Sequence, residues 1–484
     1  MVEEIDMKTV AIIGAGWYGF HLAVTLSEKG FRVVLCEKND KIFNELSGNF
    51  GVRLHLGLHY PRSKKTREGC IAGYDEFLHT YPELVNHHEH SIYGIGVLDA
   101  DQQPSKISAE DFNRLKDEHD SFKVIDPKEW GYQNLQTAID TTEASLVVGR
   151  KLRTKIEQYL AESRVELKLS TEVVSVFQDQ NKKMVVSTRN GQKESKESFD
   201  YVINATSYQC FLSKNKELPF DMEVGYQVCI ALFYEDTQEK RMPKPIPFIV
   251  MDGWFPCLML YNDGEEKENS TYLLYHGKYS ILDTCATAGE AKELLQKRLQ
   301  DKQMESHIER LARTHFASFY PEFSSERFKY LGWKGNVLAK AKTNKEFRGA
   351  FVLEDADTKI IHIFPGKVNN IFDVGREVLD LIEADLHPEE IITENGYRCT
   401  RKGALFQARC EISEKPDELL RNTSSLQTAE AVKRSLDGPL SFFGNAKSPR
   451  RIAEEKIVSV SKSPMRIIED QVHLRSATPI YSVS

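Results

Sequence analysis

KTVAIIGAGWYGFHLAVTLSEKGFRVVLCE, residues 8–37, decides the fold of this chain. Its order predicts a short buried strand over residues 10–13, a glycine turn, a helix, and a second strand over residues 33–35 that ends at Glu37. A strand, a G-x-G-x-x-G turn, a helix and a strand closed by an acid form the unit that binds dinucleotides. The whole unit is more specific than the glycine motif alone.

Each glycine of the motif has its own role. Gly14 allows the tight turn, Gly16 lets the backbone approach a pyrophosphate, and Gly19 lets the helix pack close to the strand. The helix that follows directs its unpaired N–H groups and positive dipole end at the phosphates. Glu37 is placed to accept the hydroxyls of an adenosine ribose. An acid here disfavours a 2′-phosphate, so FAD or NAD is preferred over NADP.

Length and composition limit the other classes of protein. A chain of 484 residues with 40% hydrophobic content fits two or three soluble globular domains. Its net charge of −8 predicts neither a nucleic-acid partner nor a membrane partner. The acidic N-terminus matches no signal or transit peptide, and we expect a cytoplasmic protein. The eight cysteines form no C-x-x-C pair, so we expect no disulfide scaffold and no metal.

The pattern along the chain predicts a discontinuous nucleotide domain with a second domain inserted into it. We predict helices over residues 74–84, 143–160, 288–320 and 370–386. Strands over residues 91–98, 223–233, 248–261 and 271–278 predict a mostly antiparallel second sheet. The predicted boundaries are 1–84, 143–209 and 336–400 for the nucleotide domain, 85–142 and 210–335 for the substrate domain, and 416–484 for a mostly disordered tail. Ser-Pro sites in this tail suggest phosphorylation or a protein partner.

With these pieces in order, the chain resembles the FAD-dependent oxidoreductases of the D-amino-acid oxidase type, which include glycine and sarcosine oxidases. Four pieces carry the resemblance: GAGWYG with Glu37, SGN at residues 47–49, EASLVVGRKLRTKI at residues 143–156, and DYVINATS at residues 200–207. The resemblance implies an α/β and α+β fold: a Rossmann-like FAD domain with a substrate domain built on a mostly antiparallel sheet. It also implies oxidation of an amine or amino acid by hydride transfer to flavin N5.

The motif and the resemblance together assign the cofactor contacts. These are Gly14, Ala15, Gly16, Trp17, Tyr18, Gly19, Glu37, Lys38, Ser47, Asn49, Val174, Ala205, Thr206, Gly366 and Lys367. The chain departs from the family pattern at Ser207, where glycine is usual, and at residues 365–372, which read PGKVNNIF. Both departures concern the substrate more than the cofactor.

The segment RLHLGLHYPRS, residues 53–63, is the main candidate for the chemistry. Alternation in an extended chain places Arg53, His55 and His59 on one side and the leucines on the other. We predict His55, His59 and Lys367 as catalytic residues, because histidine acts as an acid or base near neutral pH and a lysine beside the flavin favours negative charge. The predicted substrate-binding residues are Arg53, Tyr60, Arg62, Trp254 and Tyr275.

Three functions remain open from the sequence. The first is the oxidation of an amine or amino acid. The second is oxidation of a hydroxy acid or of a phosphorylated or nucleotide-linked sugar, which the basic run 62–67 would suit by binding an anion. The start of a solvated helix explains the same run equally well. The third is a non-catalytic FAD-binding regulatory protein.

Overall fold

A computed structural model describes the chain over residues 7–50, 53–207, 211–212, 217–219, 222–237, 247–251, 253–261, 263, 271–342, 349–383, 390–393 and 396–400. The predicted tail, 416–484, and the proposed Ser-Pro sites lie outside the described residues. None of the helices in these ranges combines the length and apolar character needed to cross a bilayer.

The strands, in chain order, are as follows. They are β1 (Thr9–Ile13), β2 (Arg32–Cys36), β3 (Val85–Asn86), β4 (Ser91–Gly96), β5 (Lys123–Ile125), β6 (Leu135–Thr141), β7 (Ser145–Leu146), β8 (Glu166–Lys168), β9 (Glu172–Gln178), β10 (Met184–Asn190), β11 (Lys193–Phe199), β12 (Tyr201–Asn204), β13 (Glu223–Asp236), β14 (Phe248–Met251), β15 (Cys257–Leu260), β16 (Thr271–Tyr275), β17 (Ile281–Cys285), β18 (Phe328–Lys342), β19 (Phe351–Asp355), β20 (Ile360–Phe364), β21 (Glu390–Ile392) and β22 (Tyr397–Thr400).

The helices follow in the same way. They are α1 (Trp17–Glu28), α2 (Leu46–Asn49), α3 (Lys64–Thr80), α4 (Ala109–Asn113), α5 (Gly149–Glu162), α6 (Gly277–Ser280), α7 (Ala288–Leu299), α8 (Lys302–Phe319) and α9 (Ile371–Glu383). Three short 3₁₀ helices cover Pro82–Leu84, Arg114–Glu118 and Val368–Asn370.

The first sheet has the order β21-β22-β19-β20-β12-β1-β2-β8. Its five strands from β20 to β8 run parallel, and the strands beyond β20 are antiparallel. The central strands read as nearly unbroken apolar runs, such as TVAII in β1, because both faces of a parallel sheet are covered. Helices α1 and α9 pack together on this sheet. This is the predicted Rossmann-like fold.

The second sheet has nine strands, and all of its pairings are antiparallel except that between β14 and β4. Its order is β17-β13-β16-β15-β14-β4-β6-β5, and β18 pairs with β13 along its whole length. Helix α8 covers one face through a buried stripe that includes Ile308, Ala312 and Phe316. The predicted fold class, with a mostly antiparallel second sheet, is confirmed.

Several element boundaries differ from the sequence prediction. The helix expected from residue 143 begins at Gly149, because residues 145–146 pair as strand β7 with β3. The single helical stretch 288–320 is two helices, since the Asp301 side chain accepts from the Met304 N–H and so starts α8. Helix α3 begins at Lys64, within the basic run. The predicted domain boundaries remain a prediction.

Candidate active site

A cavity of about 530 Å³ lies at the carboxyl ends of the parallel strands. That is the edge where open α/β sheets bind ligands, and the volume falls within the range of ordinary ligand sites. Three strands supply wall residues directly after they end: Gly14 after β1, Glu37 after β2 and Ala205 after β12. The glycine motif of the sequence therefore lies in the wall of this cavity.

The glycine turn has the backbone that the motif predicts. Gly14 has a φ of +102°, in the region that favours glycine. At Gly16 an added Cβ would lie 3.0 Å from the Ser47 Oγ, and at Gly19 it would lie 1.9 Å from the Gly14 carbonyl oxygen. Gly19 thus keeps α1 close to β1, while Gly16 leaves the backbone open to the cavity.

Glu37 holds the turn in place from the end of β2. Its Oε2 accepts from the Ala15 N–H at 3.0 Å, and its Oε1 accepts from the backbone and side-chain N–H groups of Asn39. The carboxylate is buried but still lines the cavity. It is placed to meet a ribose hydroxyl while it fixes the loop.

The first turn of α1 joins two distant parts of the wall. The Tyr18 hydroxyl donates to the Lys367 carbonyl oxygen at 2.7 Å and accepts from the Gly366 N–H at 3.0 Å. The N-cap residue Gly16 has no side chain to cap α1, the Ser47 Oγ accepts from the Trp17 N–H at 3.5 Å, and no acid lies in the first turn of this helix. Its N–H groups and dipole therefore suit an anion such as a pyrophosphate.

Arg53 lines the cavity, and a cluster of rings packs beside it. Its Nη1 lies 2.6 Å from the Nε2 of His59, and the ring of His59 stacks between His55 and Phe255 at centroid distances of 5.5 and 5.0 Å. Arg53, His55 and His59 do come together, but through a turn at Gly57, which has a φ of +93°, and not through the extended chain that the alternation assumed. All three are buried, with Arg53 2% exposed and His55 1% exposed.

The cluster contains polar atoms that lack a protein partner. The Nε and Nη2 atoms of Arg53 and both ring nitrogens of His55 are buried and have no hydrogen-bond partner among the described residues, and the thiol of Cys257 is the neighbour that acts most on the Arg53 charge after burial. A buried polar atom left unpaired costs about 1–3 kcal/mol, so such atoms in a folded protein call for a ligand or ordered water.

The electrostatic environment keeps the two histidines neutral. Burial lowers the pKa of His55 well below its ordinary value, and the positive charges of Lys367 and Arg53 lower it further. The pKa of His59 is lowered in the same way, by burial and then by Arg53. The site therefore presents neutral imidazoles beside a permanent guanidinium charge at neutral pH.

Lys367 contributes the second buried cation of this region. Its Nζ lies 4.5 Å from the centroid of the Tyr60 ring, a cation–π contact, and the side chain is 6% exposed. Tyr18 fixes its backbone. The two predicted residues Lys367 and Tyr60 are therefore next to each other and close to His55.

The other predicted residues are spread more widely. Val174, Lys38, Ser47 and Thr206 line the cavity with Trp17 and Ala15. Tyr275 is buried, and the Arg53 charge acts on its hydroxyl. Asn49 does not line the cavity, and its side-chain N–H groups donate to the carbonyls of Asn44 and Glu45. Its contact with the cofactor stays a prediction.

Arg62 and Trp254 lie outside the Arg53 cluster. Arg62 is exposed at the surface. The Trp254 Nε1 donates to Asp101 at 2.6 Å, in a group of contacts on the loop before α4. The basic run also has a structural role, because Arg67 makes a bidentate ion pair with Glu118. No cluster of three metal-ligating side chains occurs within the described ranges.

Sequence reasoning missed one part of the wall. Residues Val337, Leu338 and Ala339 of β18 line the cavity, together with Arg189 and Phe211. Strand β18 follows no simple alternation and begins only eight residues after α8. Its length of 15 residues is the signal that was available, and its pairing with β13 is what places it at the cavity.

The residues present fit FAD. The start of α1 and the space that a Cβ at Gly16 would fill suit its pyrophosphate. Glu37 suits its ribose, and the cavity continues to Arg53. Of the two residues with unpartnered polar atoms, Arg53 lines the cavity, whereas His55 belongs to the cluster of rings beside it and does not line the cavity.

Comparison with known proteins adds the family. A family model described as FAD dependent oxidoreductase matches residues 9–338. The FAD-dependent monooxygenase kojA of Aspergillus flavus is 41% identical over 425 residues, which cover 87% of this chain and 96% of that protein.

Solved structures share the fold. NikD, an unusual amino acid oxidase essential for nikkomycin biosynthesis, gives a TM-score of 0.55 at 14% identity over 79% of this chain and 95% of its own. L-proline dehydrogenase from P. horikoshii gives 0.54 at 16% identity over 78% and 94%. At these identities the likeness concerns the fold alone.

Proposed function

The chain belongs to the family of FAD-dependent oxidoreductases. On that premise we propose that it oxidises a small amine or amino acid, and that Arg53 holds the carboxylate of the amino acid. It is an FAD-dependent enzyme, so the non-catalytic alternative is not favoured. One observation carries the choice of substrate: the buried, unpartnered Nε and Nη2 of Arg53 at the cofactor cavity.

The geometry of the guanidinium supports a carboxylate. Nε–H and one Nη–H form one edge of the planar group, and two parallel hydrogen bonds from such an edge match the two oxygens of a carboxylate. His59 occupies Nη1, and the Nε–Nη2 edge is left to a ligand. Since a guanidinium stays charged in proteins, this edge binds an anion at any pH at which the fold is stable.

The neutral histidines suit an amine. A neutral imidazole carries one donor nitrogen and one acceptor nitrogen, and His55 has both without a described protein partner. We assign His55 to accept a hydrogen bond from the substrate nitrogen and His59 to hold Arg53 in place. Lys367 adds positive charge, which favours negative charge that develops near it.

When bound, FAD supplies the acceptor for a hydride, at its N5. The substrate loses that hydride from the carbon and a proton from the nitrogen to the neutral imidazole of His55, and water hydrolyses the imine after its release. Arg53 and His55 orient the substrate so that the reacting atoms are held in place. The buried cluster also keeps bulk water away from the reacting carbon.

The alternative substrates have different support. The basic run expected to bind a phosphorylated sugar begins α3, and Arg67 within it is paired with Glu118. Arg67 is therefore occupied, whereas Arg62, Lys64 and Lys65 of the run are exposed, and the sugar alternative stays open. A hydroxy acid shares the carboxylate, so it remains the nearest competitor and must be distinguished by turnover.

A second candidate function is oxygen insertion into the substrate. The 41% identical relative is named a monooxygenase, and it is matched over nearly its whole length. Two-electron oxidation and monooxygenation differ in the fate of molecular oxygen. An oxidase returns both oxygen atoms as hydrogen peroxide, whereas a monooxygenase places one atom in the product.

The experiment is anaerobic addition of amino acids, amines and hydroxy acids to the purified, FAD-loaded enzyme. Loss of the visible flavin absorption with amino acids, and not with hydroxy acids, supports the proposal. Loss with hydroxy acids alone contradicts it. Turnover of the active compound under ¹⁸O₂ then decides the second candidate, because only a monooxygenase gives a product whose mass is raised by one heavy oxygen.

A further inference from the structure

We infer that Glu143 is a positioning residue that fixes the Arg53 segment and, through its own charge, makes carboxylate binding at Arg53 depend on pH. The inference rests on the proposed function, since it takes Arg53 as the carboxylate site. Glu143 lies outside the nucleotide motif and does not line the cavity. It follows strand β6 and is 3% exposed.

The hydrogen bonds of Glu143 join the Arg53 segment to the second sheet. Its Oε2 accepts from the Leu56 N–H at 2.6 Å, and its Oε1 accepts from the Tyr93 hydroxyl in a very short hydrogen bond. Leu56 follows His55 in the chain, and Tyr93 lies in β4 of the antiparallel sheet. One carboxylate therefore ties the segment that carries Arg53 and His55 to the second sheet.

The backbone beside Glu143 strengthens this attachment. Ser145 forms an antiparallel bridge with Arg53, and the Ala144 N–H donates to the Tyr74 hydroxyl at 2.9 Å. Residues 143–145 thus run along the Arg53 segment and are held from α3 on the other side. A change at Glu143 acts on Arg53 through this short path.

The charge of Glu143 also acts on Arg53. Arg53 makes no ion pair within 4 Å with any described carboxylate. Burial acts to lower its pKa, whereas Cys257, Tyr93 and, with the smallest effect of the three, the Glu143 charge act to raise it. The negative charge of Glu143 partly offsets the positive potential of Arg53, although the two groups are not in contact. The Nε–Nη2 edge therefore stays open to a ligand, while the attraction that a ligand feels depends on whether Glu143 is ionised.

Burial raises the pKa of Glu143 to about 7, although its hydrogen bonds from Tyr93 and Leu56 and the Arg53 charge act in the opposite direction. The other groups that face it are Tyr93, Tyr74 and Cys70. Burial raises the pKa of all three, with Tyr74 at about 12 and Cys70 at about 11. Near neutral pH, Glu143 alone of these groups changes its charge.

The direction of the pH effect follows from the charges. Below pH 7 Glu143 is protonated, the Arg53 charge is uncompensated, and a carboxylate binds more tightly. Above pH 7 Glu143 is ionised and repels the carboxylate. We expect the affinity to rise about five- to tenfold from pH 8 to pH 6, at the lower end of ordinary coupling between sites. Binding takes up part of a proton near pH 7.

The test is isothermal titration of the FAD-loaded enzyme with sodium acetate at pH 6, 7 and 8. Glu143→Gln keeps both hydrogen bonds, because its Oε1 accepts from the Leu56 N–H and its Nε2 donates to the Tyr93 oxygen, but it carries no charge. We expect this variant to bind acetate at every pH with the affinity that the wild type has at pH 6. Tyr93→Phe keeps the carboxyl group but removes a hydrogen bond that lowers the pKa of Glu143, so the pH dependence should persist with its midpoint moved to higher pH.

A matched control is Glu305→Gln. Glu305 is also a buried glutamate that accepts from a tyrosine, with the Tyr330 hydroxyl 3.0 Å from its Oε1, but it lies in α8 on the outer face of the second sheet. It should leave the pH dependence of acetate binding unchanged. Its behaviour separates the effect of Glu143 from that of losing any buried carboxylate.

The outcomes separate the inference from the proposed function. A pH slope in Glu143→Gln equal to that of the wild type overturns the inference. Failure of the wild type to bind acetate at any pH, with FAD bound, counts instead against Arg53 as the carboxylate site. If Glu143→Gln does not fold, acetate binding to the wild type at pH 7 is measured in buffers of different ionisation enthalpy. A binding heat that does not depend on the buffer means that no proton is taken up, and it overturns the inference.

Discussion

The Nη1 of Arg53 lies 2.6 Å from the Nε2 of His59. The same Nη1 lies 3.1 Å from the Nδ1 of His59, and since an arginine can only donate, one nitrogen of the neutral ring accepts; we assign it to Nε2, which makes the shorter contact. Burial and the nearby guanidinium both disfavour the imidazolium form of His59, and they lower its pKa. The pair therefore has one positive charge, on Arg53, and the histidine orients that charge without adding to it.

Arg53→Gln should weaken the binding of carboxylate substrates specifically. The change removes the bidentate edge and the buried charge, and we expect KM for an amino acid to rise about 100-fold, or ~2.7 kcal/mol. Steady-state kinetics of the active amino acid and of the corresponding amine without a carboxylate measure this. The amine serves as the control, and an equal rise in KM for both compounds would show that Arg53 does not bind the carboxylate.

Tyr18→Phe should lower the affinity for FAD. The hydroxyl links α1 to the loop at Gly366 and Lys367 through two hydrogen bonds, each worth about 0.5–1.5 kcal/mol, so Kd should rise about fivefold to 100-fold. Fluorescence titration of the apoprotein with FAD gives the value. Tyr201→Phe is the control, because the Tyr201 hydroxyl contacts Lys8 and the Ile382 carbonyl away from the cavity, and equal effects of the two variants would contradict the assignment.

Gly19→Ala should destabilise the first sheet. Its Cβ would lie 1.9 Å from the Gly14 oxygen, so α1 must move away from β1, and we expect a loss of about 2–3 kcal/mol in the free energy of unfolding. Gly69→Ala is the matched control in α3, where an added Cβ meets nothing within 4 Å. At Gly69 the change should raise the free energy of unfolding by about 0.5–1 kcal/mol. Urea denaturation measures both, and similar values would refute the packing argument.

His276 should make the protein sensitive to acid. It is fully buried, its Nδ1 accepts from the Lys278 N–H, and its Nε2 lies 2.8 Å from the Nδ1 of His315. Burial lowers its pKa well below the ordinary value, followed by the charge of the neighbouring His315. The unfolded chain takes up a proton near pH 6.5 and the native chain does not, so stability is present above that pH and is lost as the pH falls.

The variant His276→Asn tests this, because its Oδ1 can still accept from the Lys278 N–H while the titrating group is gone. Between pH 6.5 and 4.5, the free energy of unfolding of the wild type should fall relative to the variant by up to about 1.4 kcal/mol per pH unit. Chemical denaturation across this range gives the difference. Parallel curves for the two proteins would mean that His276 is protonated in the native state.

The first sheet was predictable because its signals are local. The strand, turn and helix of residues 8–37 follow from apolar runs and glycine spacing, and the structure places β1, α1 and β2 where the sequence puts them. A local argument also grouped Arg53, His55 and His59, although it assumed an extended chain where the structure has a turn at Gly57. The start of α5 was not predicted, because residues 145–146 pair with β3, a contact that no local pattern reveals.

The sequence alone determined the dinucleotide unit, its cofactor class and the segment where a charged site would lie, since glycine geometry and side-chain periodicity act over a few residues. Only the tertiary structure decided which groups complete the site. Glu143 meets Leu56 across 87 residues of chain, and β18 reaches the cavity by pairing with β13. Such contacts depend on how two sheets pack against each other, and the burial that raises the pKa of Glu143 exists only after they have packed.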